Sequence, residues 1–373
     1  MPTIQTDLRR TVYALADALD LVGVDDRHHG KRVGIMAFAC ARALGWPREE
    51  QEFVFDLGLL HDCGVSSTRV HHHLVAEFAW KNAEDHCVRG ASLLAASPLF
   101  APFAPFIRHH HTPWPHLIEL GIDERTARLA NLIFLVDRVD ALTAPHYGDP
   151  ALLYYRNEVL DRITALQPEF FSAELVDALR LEAAKEAFWL ALEPPHLDAY
   201  LEYMATHGEP RLIGLPELRD LGRLFAAIVD AKSTFTLQHS AGVAALSARL
   251  AERAGLPPER RDAIEVAGLL HDLGKLRVPD EILDKPGKLD EKERAVIERH
   301  SFETFTILRR IPGLEAITEW ASLHHETLAG DGYPFRRRGE ELSLEARIVA
   351  VADVYQALVQ DRPYRASLPD EAL

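Results

Sequence analysis

The sequence has few of the residues that build disulfide-bonded or membrane-spanning proteins. Its three cysteines, Cys40, Cys63 and Cys87, form no CxxC pair and no disulfide framework, which favours a reducing compartment. No apolar run approaches the roughly 18 to 20 residues of a membrane span, and the N-terminus has no apolar signal segment. We therefore expect a cytoplasmic protein that does not enter the membrane.

Basic residues are also scarce relative to acidic ones. The 41 Lys and Arg residues against 57 Asp and Glu give a net charge of −16 with histidine neutral. This acid excess argues against binding to a DNA or RNA duplex, which requires a basic face. No alternating apolar and polar run is long enough for a substantial sheet, so we predict a helical fold.

Histidine, in contrast, is abundant, and ten of the 19 histidines follow an internal repeat. In each copy the first two histidines are 32 residues apart, and the third and fourth are 24 apart. The first set is His29, His61, Asp62, His86, His110, His111 and Asp137. The second set is His239, His271, Asp272, His300, His324, His325 and Asp353.

Helix signals repeat together with the histidines. Gly45 and Gly255 follow the first apolar-periodic segment of each copy and predict helix C-caps. Prolines at 47 and at 257–258 then mark the next helix start. In the second copy, Asp290 and Glu293 form a predicted capping box that opens the helix carrying His300.

These signals divide the chain into two tandem, homologous, all-α helical bundle domains. We assign residues 1–205 to the first domain, with 151–205 as additional helices, and residues 222–373 to the second. Residues 206–221 contain glycines and prolines and are predicted to be a linker. The second copy has no counterpart of 151–205, so it is either a smaller domain or one truncated at its C-terminus.

Each set of seven residues predicts a metal site. A helix bundle can direct such side chains toward one point. Five imidazoles and two carboxylates are too many for one tetrahedral zinc and suit a two-metal site. We predict two divalent transition metals in the second domain, iron or manganese first, with zinc, cobalt and nickel as alternatives. The set in the first domain is a candidate second metal site.

The second domain resembles the HD-GYP branch of the HD superfamily of metal-dependent phosphohydrolases. The matching motifs are His239, HDLGK at 271–275, His300, HHE at 324–326, DGYP at 331–334, Asp353 and DRPYR at 361–365. The resemblance implies a role in bacterial signalling through cleavage of a cyclic dinucleotide, usually cyclic di-GMP. The product would be a linear dinucleotide and sometimes mononucleotides.

The resemblance also implies a role for each motif residue. One metal would be held by His239, His271, Asp272 and Asp353, and Asp272 would bridge to a second held by His300, His324 and His325. Lys275 would be the active-site lysine beside the scissile phosphate, with Asp272 also catalytic. The substrate-binding residues would be Arg362 and Arg365, which grip the phosphates, and the signature loop Gly332, Tyr333 and Pro334. That loop also offers a docking surface for a protein partner.

Three departures from the family motif affect the choice of substrate. Ala329 and Gln356 each replace a usual aspartate near the site, and Ser233 replaces another. None of these residues is in the predicted ligand set. The sequence therefore leaves open which cyclic dinucleotide is preferred.

The first domain resembles the broader HD superfamily and lacks the GYP motif. Val65 stands at the position of Lys275, and residues 141–147 contain no arginine. We expect a metal-binding module with a regulatory or structural role rather than strong activity on cyclic dinucleotides. A second catalytic site of different specificity is the alternative.

Two other functions compete with a cyclic dinucleotide phosphodiesterase. One is an HD phosphohydrolase that acts on another nucleotide, and the GYP and RPYR elements weigh against it. The other is a degenerate sensor of the nucleotide or a docking module, which would not need seven retained ligands. The identity of the metal, the input signal, the direct partners and the oligomeric state stay open.

Overall fold

The computed structural model describes residues 4–22, 28–65, 67–76, 83–206, 210–233 and 238–360. Within these ranges the chain forms nineteen α-helices and one two-stranded sheet, which confirms the all-α class. The chain divides into two compact units. The N-terminal unit comprises residues 25–65 and 70–209, and the C-terminal unit comprises residues 1–24, 66–69 and 210–373.

In chain order the helices are α1 (Leu8–Leu19), α2 (His29–Ala43), α3 (Arg48–Leu60), α4 (Thr68–Ala76), α5 (Ala83–Ala95), α6 (Ala104–His109), α7 (Trp114–Glu119), α8 (Glu124–Thr143), α9 (Leu152–Phe170), α10 (Ala173–Ala183), α11 (Glu186–Leu190), α12 (Pro194–Thr206), α13 (Leu215–Asp230), α14 (His239–Arg253), α15 (Pro258–Leu270), α16 (Asp280–Leu283), α17 (Glu291–Leu308), α18 (Glu315–Ser322) and α19 (Leu344–Val359). The strands are β1 (Thr6–Asp7) and β2 (Leu212–Ile213). Short 3₁₀ helices cover Ala101–Phe103, Ala144–His146, Leu273–Arg277 and Gly339–Glu341. None of the helices described here combines the length and the apolar character needed to cross a membrane.

Helices α2 and α14 begin and end at equivalent points of the two units. Their first residues are His29 and His239. Each helix ends two residues before a glycine in the left-handed region, Gly45 at φ +69° and Gly255 at φ +75°. The two predicted C-caps are confirmed, because glycine adopts this conformation without a steric cost from Cβ.

The predicted starts of the following helices are also observed. Helix α3 begins directly after Pro47, and Pro258 occupies the first turn of α15. At the start of α17, the Glu293 backbone N–H donates to Asp290 Oδ1 at 2.8 Å. The Asp290 backbone N–H in turn donates to Glu293 Oε2 at 2.8 Å, which confirms the capping box.

The C-terminal unit includes the first residues of the chain, which the sequence repeat placed in the first domain. Strand β1 pairs antiparallel with β2, with Thr6 opposite Ile213. Helix α1 packs against α17, and Asp17 pairs with Arg310 at 2.5 Å. The repeat could not reveal this arrangement, because α1 has no counterpart in the second copy and its partners are distant in sequence.

Helix α13 begins inside the stretch predicted to be a linker, so the linker boundary at 221 differs from the structure. Glu217 Oε2 accepts from the Gly214 backbone N–H at 3.0 Å and closes the first turn. Leu218 and Leu221 are buried, so this turn belongs to the core of the C-terminal unit. The predicted additional helices at 151–205 are observed as α9 to α12 in the N-terminal unit.

Gly274 allows the segment after His271 to lie directly against α17. A Cβ atom at Gly274 would be only 2.1 Å from the backbone oxygen of His300. We therefore expect Gly274→Ala to lower the free energy of unfolding by at least about 2 kcal/mol, since neither backbone can yield locally. Denaturant unfolding in the presence of a chelator would measure this, because metal loss then cannot contribute.

Gly287→Ala is the matched control for this substitution. A Cβ atom at Gly287 would meet no heavy atom within 4 Å, so we expect a change within about 0.5 kcal/mol. Equal losses in the two variants would show that the close approach at Gly274 carries no stability.

Candidate metal centres

Five elements of the C-terminal unit bring the second set of seven residues together. His239 is the first residue of α14, and His271 caps α15 with Asp272 next to it. His300 lies on α17 and Asp353 on α19, and the His324–His325 pair follows α18. We call this cluster the second site. Six of its seven members are fully or nearly fully buried, and only His325 is more exposed.

Asp272 lies between two groups of ligands within the second site. Its Oδ2 is 3.2 Å from His271 Nε2 and 3.7 Å from His239 Nε2. Its Oδ1 is 3.4 Å from His300 Nε2 and 3.7 Å from His324 Nε2. One carboxylate therefore presents one oxygen to each group, which is the arrangement of a bridging ligand.

The remaining carboxylate and histidine complete the two groups. Asp353 Oδ1 is 3.1 Å from His239 Nε2 and 3.7 Å from His271 Nε2. His325 Nδ1 is 3.9 Å from Asp353 Oδ2, and His325 groups with His300 and His324. The structure thus brings together all seven residues that the repeat singled out.

Backbone carbonyls orient three of the imidazoles. The Nδ1–H groups of His271, His300 and His324 donate to carbonyl oxygens three residues earlier, at 2.8, 2.7 and 2.6 Å. A carbonyl only accepts, so the proton of a neutral ring is on Nδ1 and the Nε2 lone pair points into the site.

The two carboxylates of the second site are ionised. Burial would raise the pKa of Asp272, but the charges of His271 and Lys275 outweigh burial and hold this pKa well below its usual range. Burial would likewise raise the pKa of Asp353, but the neighbouring His239 and His271 outweigh burial and hold this pKa well below its usual range. These anions offer charge compensation for cations in the site.

The histidines around Asp272 Oδ1 are neutral. Burial lowers the pKa of His300 to about 3 and that of His325 to about 4. Burial also lowers the pKa of His324 well below its usual range. Neutral imidazole is the form that binds metal, so this group can ligate at neutral pH without losing a proton.

The residues of the second site fit divalent transition-metal ions. His271 Nε2 and Asp272 Oδ1 are buried and have no hydrogen-bond partner among the described residues. Their neighbours are imidazole nitrogens and carboxylate oxygens at 3.2 to 3.7 Å. These separations are close to those between ligands that share an ion at about 2.0–2.2 Å. A cation would satisfy both orphaned atoms.

Ligation through His271 would make metal binding at the second site pH-dependent. Burial lowers the pKa of His271, but Asp272 and Asp353 outweigh burial and raise it to about 10. The proton on Nε2 must leave before this atom can ligate, so we expect the apparent metal affinity to rise about tenfold per pH unit between pH 6.5 and 8.5. Calorimetric titration in two buffers of different ionisation enthalpy would count about one released proton. A pH-independent affinity would contradict the assignment of His271 as a ligand.

The N-terminal unit contains an equivalent cluster, which we call the first site. Asp62 Oδ2 is 3.6 Å from His61 Nε2 and 3.8 Å from His29 Nε2, and Asp62 Oδ1 is 3.4 Å from His86 Nε2. His110 Nε2 is 3.1 Å from His86 Nε2, the same separation as His300 to His324 in the second site. Asp137 and His111 complete the set, with His111 Nε2 3.8 Å from Asp137 Oδ2.

Comparison with known proteins identifies the family of the two domains that carry these clusters. Sequence models of the HD domain match residues 27–144 and 223–373. The chain is 44% identical over 367 residues to the 3'3'-cGAMP-specific phosphodiesterase 1 of Vibrio cholerae, across 97% of this chain and 85% of that relative. The chain belongs to the HD-domain family of cyclic dinucleotide phosphodiesterases. This membership confirms the class of activity that the motifs predict.

Two further relatives show how far the similarity extends. A cyclic di-GMP phosphodiesterase of Pseudomonas aeruginosa is 43% identical over 132 residues, which are 35% of this chain and 32% of that relative. The crystal structure of a cyclic GMP-AMP-specific phosphodiesterase of V. cholerae matches with a TM-score of 0.67 at 24% identity, over 99% of this chain and 92% of that one. The fold is therefore shared along both HD domains.

Lys275 and the GYP loop lie beside the second HD site. Lys275 Nζ is 2.5 Å from Asp272 Oδ2. The Tyr333 ring lies 4.8 Å from the His325 ring, and the Tyr333 backbone N–H donates to the His325 carbonyl. Gly332 is buried, and a Cβ atom at this position would be 2.5 Å from the His325 carbonyl oxygen. Pro334 follows Tyr333 in the same loop. Arg362 and Arg365 lie outside the described residues.

Glu326 has a positioning role that the sequence reasoning missed. Its buried carboxylate accepts from the backbone N–H groups of Phe335 at 2.7 Å and Arg337 at 3.0 Å. Glu326 therefore ties the chain after the GYP motif to the chain that carries His325. Its place next to the histidine pair was a usable signal, although nothing in the sequence indicated its partners.

The first HD site also contains residues that the sequence reasoning missed. Arg138 donates to Asp137 Oδ2 at 2.9 Å, and Arg32 donates to both oxygens of Asp140 at 2.7 and 2.8 Å. Asp140 also accepts from His29 Nδ1 at 2.7 Å. The first site thus has buried cations, but each is paired with a carboxylate. Val65 is buried at the position of Lys275, as its apolar side chain requires.

Cys87 is a further residue of the first site that the sequence reasoning missed. It is buried on α5 next to His86, with its Sγ 3.8 Å from His86 Nε2 and 4.0 Å from His110 Nε2. Burial would raise the pKa of the Cys87 thiol, but the two imidazoles outweigh burial and lower it to about 6. A single cysteine without a CxxC partner carried no signal in the sequence.

Proposed function

We propose that this phosphodiesterase hydrolyses 3'3'-cGAMP at the second HD site and opens the ring to a linear dinucleotide. The extent of similarity supports this substrate. The relative that is specific for 3'3'-cGAMP aligns with 97% of the chain, including both HD domains. The cyclic di-GMP phosphodiesterase aligns with only 35% of the chain. Ala329, Gln356 and Ser233, which depart from the usual aspartates, are compatible with a substrate other than cyclic di-GMP.

The seven residues of the second site would hold two divalent cations, with iron or manganese suited to the imidazole and carboxylate set. His239, His271 and Asp353 form one ligand group, and His300, His324 and His325 form the other. Asp272 would bridge the two groups through its two oxygens. Two such ions supply a hydroxide nucleophile at neutral pH and neutralise charge on the phosphate.

Lys275 would contact the scissile phosphate. Its ammonium group is held at 2.5 Å from Asp272 Oδ2, on the carboxylate that separates the two ligand groups. From this position a cation can stabilise the negative charge that develops on a phosphate oxygen during in-line displacement. An ammonium group can also donate a proton to the leaving oxygen.

Tyr333 would form one wall of the substrate site. Its ring lies 4.8 Å from the His325 ring and 6.3 Å from the His300 ring. Burial raises the pKa of the Tyr333 phenol, so the hydroxyl keeps its proton and can donate a hydrogen bond to a phosphate oxygen. Arg362 and Arg365 stay predicted phosphate contacts.

We propose that the first HD site binds metal but contributes little to this reaction. It has Val65 in place of Lys275, and its buried arginines are paired with Asp137 and Asp140. No group in its described part corresponds to Lys275 or to the GYP loop of the second site. We further propose that the enzyme acts in the reducing cytoplasm, since its three cysteines are free thiols.

Product analysis on a panel of cyclic dinucleotides would test the substrate. We expect a kcat/KM for 3'3'-cGAMP at least about tenfold above that for cyclic di-GMP, a difference of about 1.4 kcal/mol in transition-state binding. The same assay on Asp272→Asn would exclude a contaminating hydrolase. Preference for cyclic di-GMP would overturn the proposed substrate without affecting the family assignment.

A further inference from the structure

The first site has a sulfur atom at a position where the second site has a hydroxyl. Helix α5 places His86 and Cys87 side by side, and both side chains are buried in the site. The corresponding pair on α17 is His300 and Ser301, with Ser301 Oγ 3.3 Å from His300 Nε2. The two sites therefore differ by one soft ligand atom on otherwise matching sets of imidazoles and carboxylates.

The distances place Cys87 Sγ within the first site's ligand cluster. Sγ is 3.8 Å from His86 Nε2 and 4.0 Å from His110 Nε2, and these two nitrogens are 3.1 Å apart. Around a tetrahedral zinc ion with bonds of about 2.0–2.1 Å to nitrogen and 2.3 Å to sulfur, ligand atoms are separated by about 3.3–3.6 Å. The triangle matches an ion-sized space to within a few tenths of an ångström.

A second observation at the same place points to a cation. Asp62 Oδ1 is buried and has no hydrogen-bond partner within the described part of the chain. It lies 3.4 Å from His86 Nε2 and 3.9 Å from His110 Nε2, on the same two nitrogens that Cys87 Sγ approaches. An anionic oxygen and a thiol thus both approach the same two imidazole nitrogens.

We infer that Cys87 Sγ is a ligand of the metal in the first site, and that this thiolate gives the first site a preference for zinc that the second site lacks. The inference rests on the proposal that the first site binds metal. The thiol donates to the Ala83 carbonyl at 3.3 Å. On coordination the S–H bond breaks, a metal–sulfur bond forms, and the proton leaves to solvent.

The difference in ligand softness separates the metal preferences of the two sites. Thiolate ligands favour zinc and other soft ions, whereas sites built from imidazole and carboxylate also accept iron and manganese. Ser301 offers only a neutral hydroxyl, so we expect the second site to accept iron and manganese as well. One chain could then hold different metals in its two HD domains.

Cobalt substitution of the full chain tests the ligand. Metal-free protein would be loaded with Co²⁺, and bound cobalt would be counted by elemental analysis while the near-ultraviolet spectrum is recorded. We expect a thiolate-to-cobalt charge-transfer band in the wild-type protein. Cys87→Ser should abolish the band and weaken zinc binding at the first site at least tenfold, because a ligand is lost.

Two variants serve as matched controls. Cys63→Ala removes the neighbouring buried thiol and should keep the band. Ser301→Cys introduces the thiol at the equivalent position of the second site and should add a second band of similar intensity. Together they separate the effect of Cys87 from the presence of any thiol in the chain.

The outcomes distinguish the inference from the proposals that it rests on. Full cobalt loading without a charge-transfer band, or a band that persists in Cys87→Ser, would overturn Cys87 as a ligand while leaving the first metal site intact. Cobalt confined to the second site would overturn both the ligand and the first metal site. Hydrolysis of 3'3'-cGAMP by the same wild-type preparation tests the proposed function separately.

Discussion

Asp272→Asn is expected to lower kcat for cyclic dinucleotide hydrolysis by about a thousandfold and to reduce bound metal. Asp272 has one oxygen 3.2 Å from His271 Nε2 and the other 3.4 Å from His300 Nε2, so it serves both ligand groups. An amide has one acceptor oxygen and no charge, so it cannot bridge two cations. Two-metal sites supply several kcal/mol of transition-state stabilisation, and 1.4 kcal/mol corresponds to tenfold in rate.

Asp62→Asn is the matched variant in the first site. Asp62 lies between His61 and His86 with nearly the same distances, 3.6 and 3.4 Å. We expect it to retain most cyclic dinucleotide hydrolysis, because the first site has no counterpart of Lys275. Steady-state kinetics and elemental analysis of the two folded variants would show the ranking. A larger loss in Asp62→Asn would place the active site in the other HD domain.

Lys275→Met is expected to lower kcat by about a hundredfold while metal content stays near that of the wild type. The methionine side chain keeps much of the apolar stem but removes the charge, so the cost is lost stabilisation of developing phosphate charge. The KM should change less than kcat if the contact strengthens in the transition state.

Lys285→Met is the control for the loss of a lysine in the same domain. Lys285 pairs with Glu293 on a partly exposed surface, and exposed pairs contribute roughly 0–1 kcal/mol. We expect near-normal kcat in this variant. Loss of metal together with activity in Lys275→Met would show that Lys275 maintains the metal site and is not a phosphate contact.

The helical elements around the sites could be predicted because their signals are local. The capping box of Asp290 and Glu293 and the left-handed glycines at 45 and 255 lie within a few residues of the helix ends that they define. The all-α fold followed in the same way from periodicity, whereas the class of activity followed from the resemblance of contiguous motifs to the HD-GYP family. The two clusters of histidine and aspartate were found because the chain contains the same spacing twice, and a single copy would have been weak evidence.

Contacts between residues distant in sequence decided the rest. Helix α1 joins the C-terminal unit because its buried face packs against α17, some 280 residues later, and no repeat marks that pairing. Arg138, Glu326 and Cys87 reached the sites through side-chain directions that a linear pattern does not encode.

The sequence by itself therefore determined which residue types are available, at what spacing, and on which helices. The tertiary structure alone decided which atom faces which. Asp272 directs its two oxygens to different histidine groups, and Val65 is buried where Lys275 instead reaches a carboxylate. The physical reason is that helix propensity and capping act over a few residues, whereas ligand geometry depends on how separate helices cross and pack.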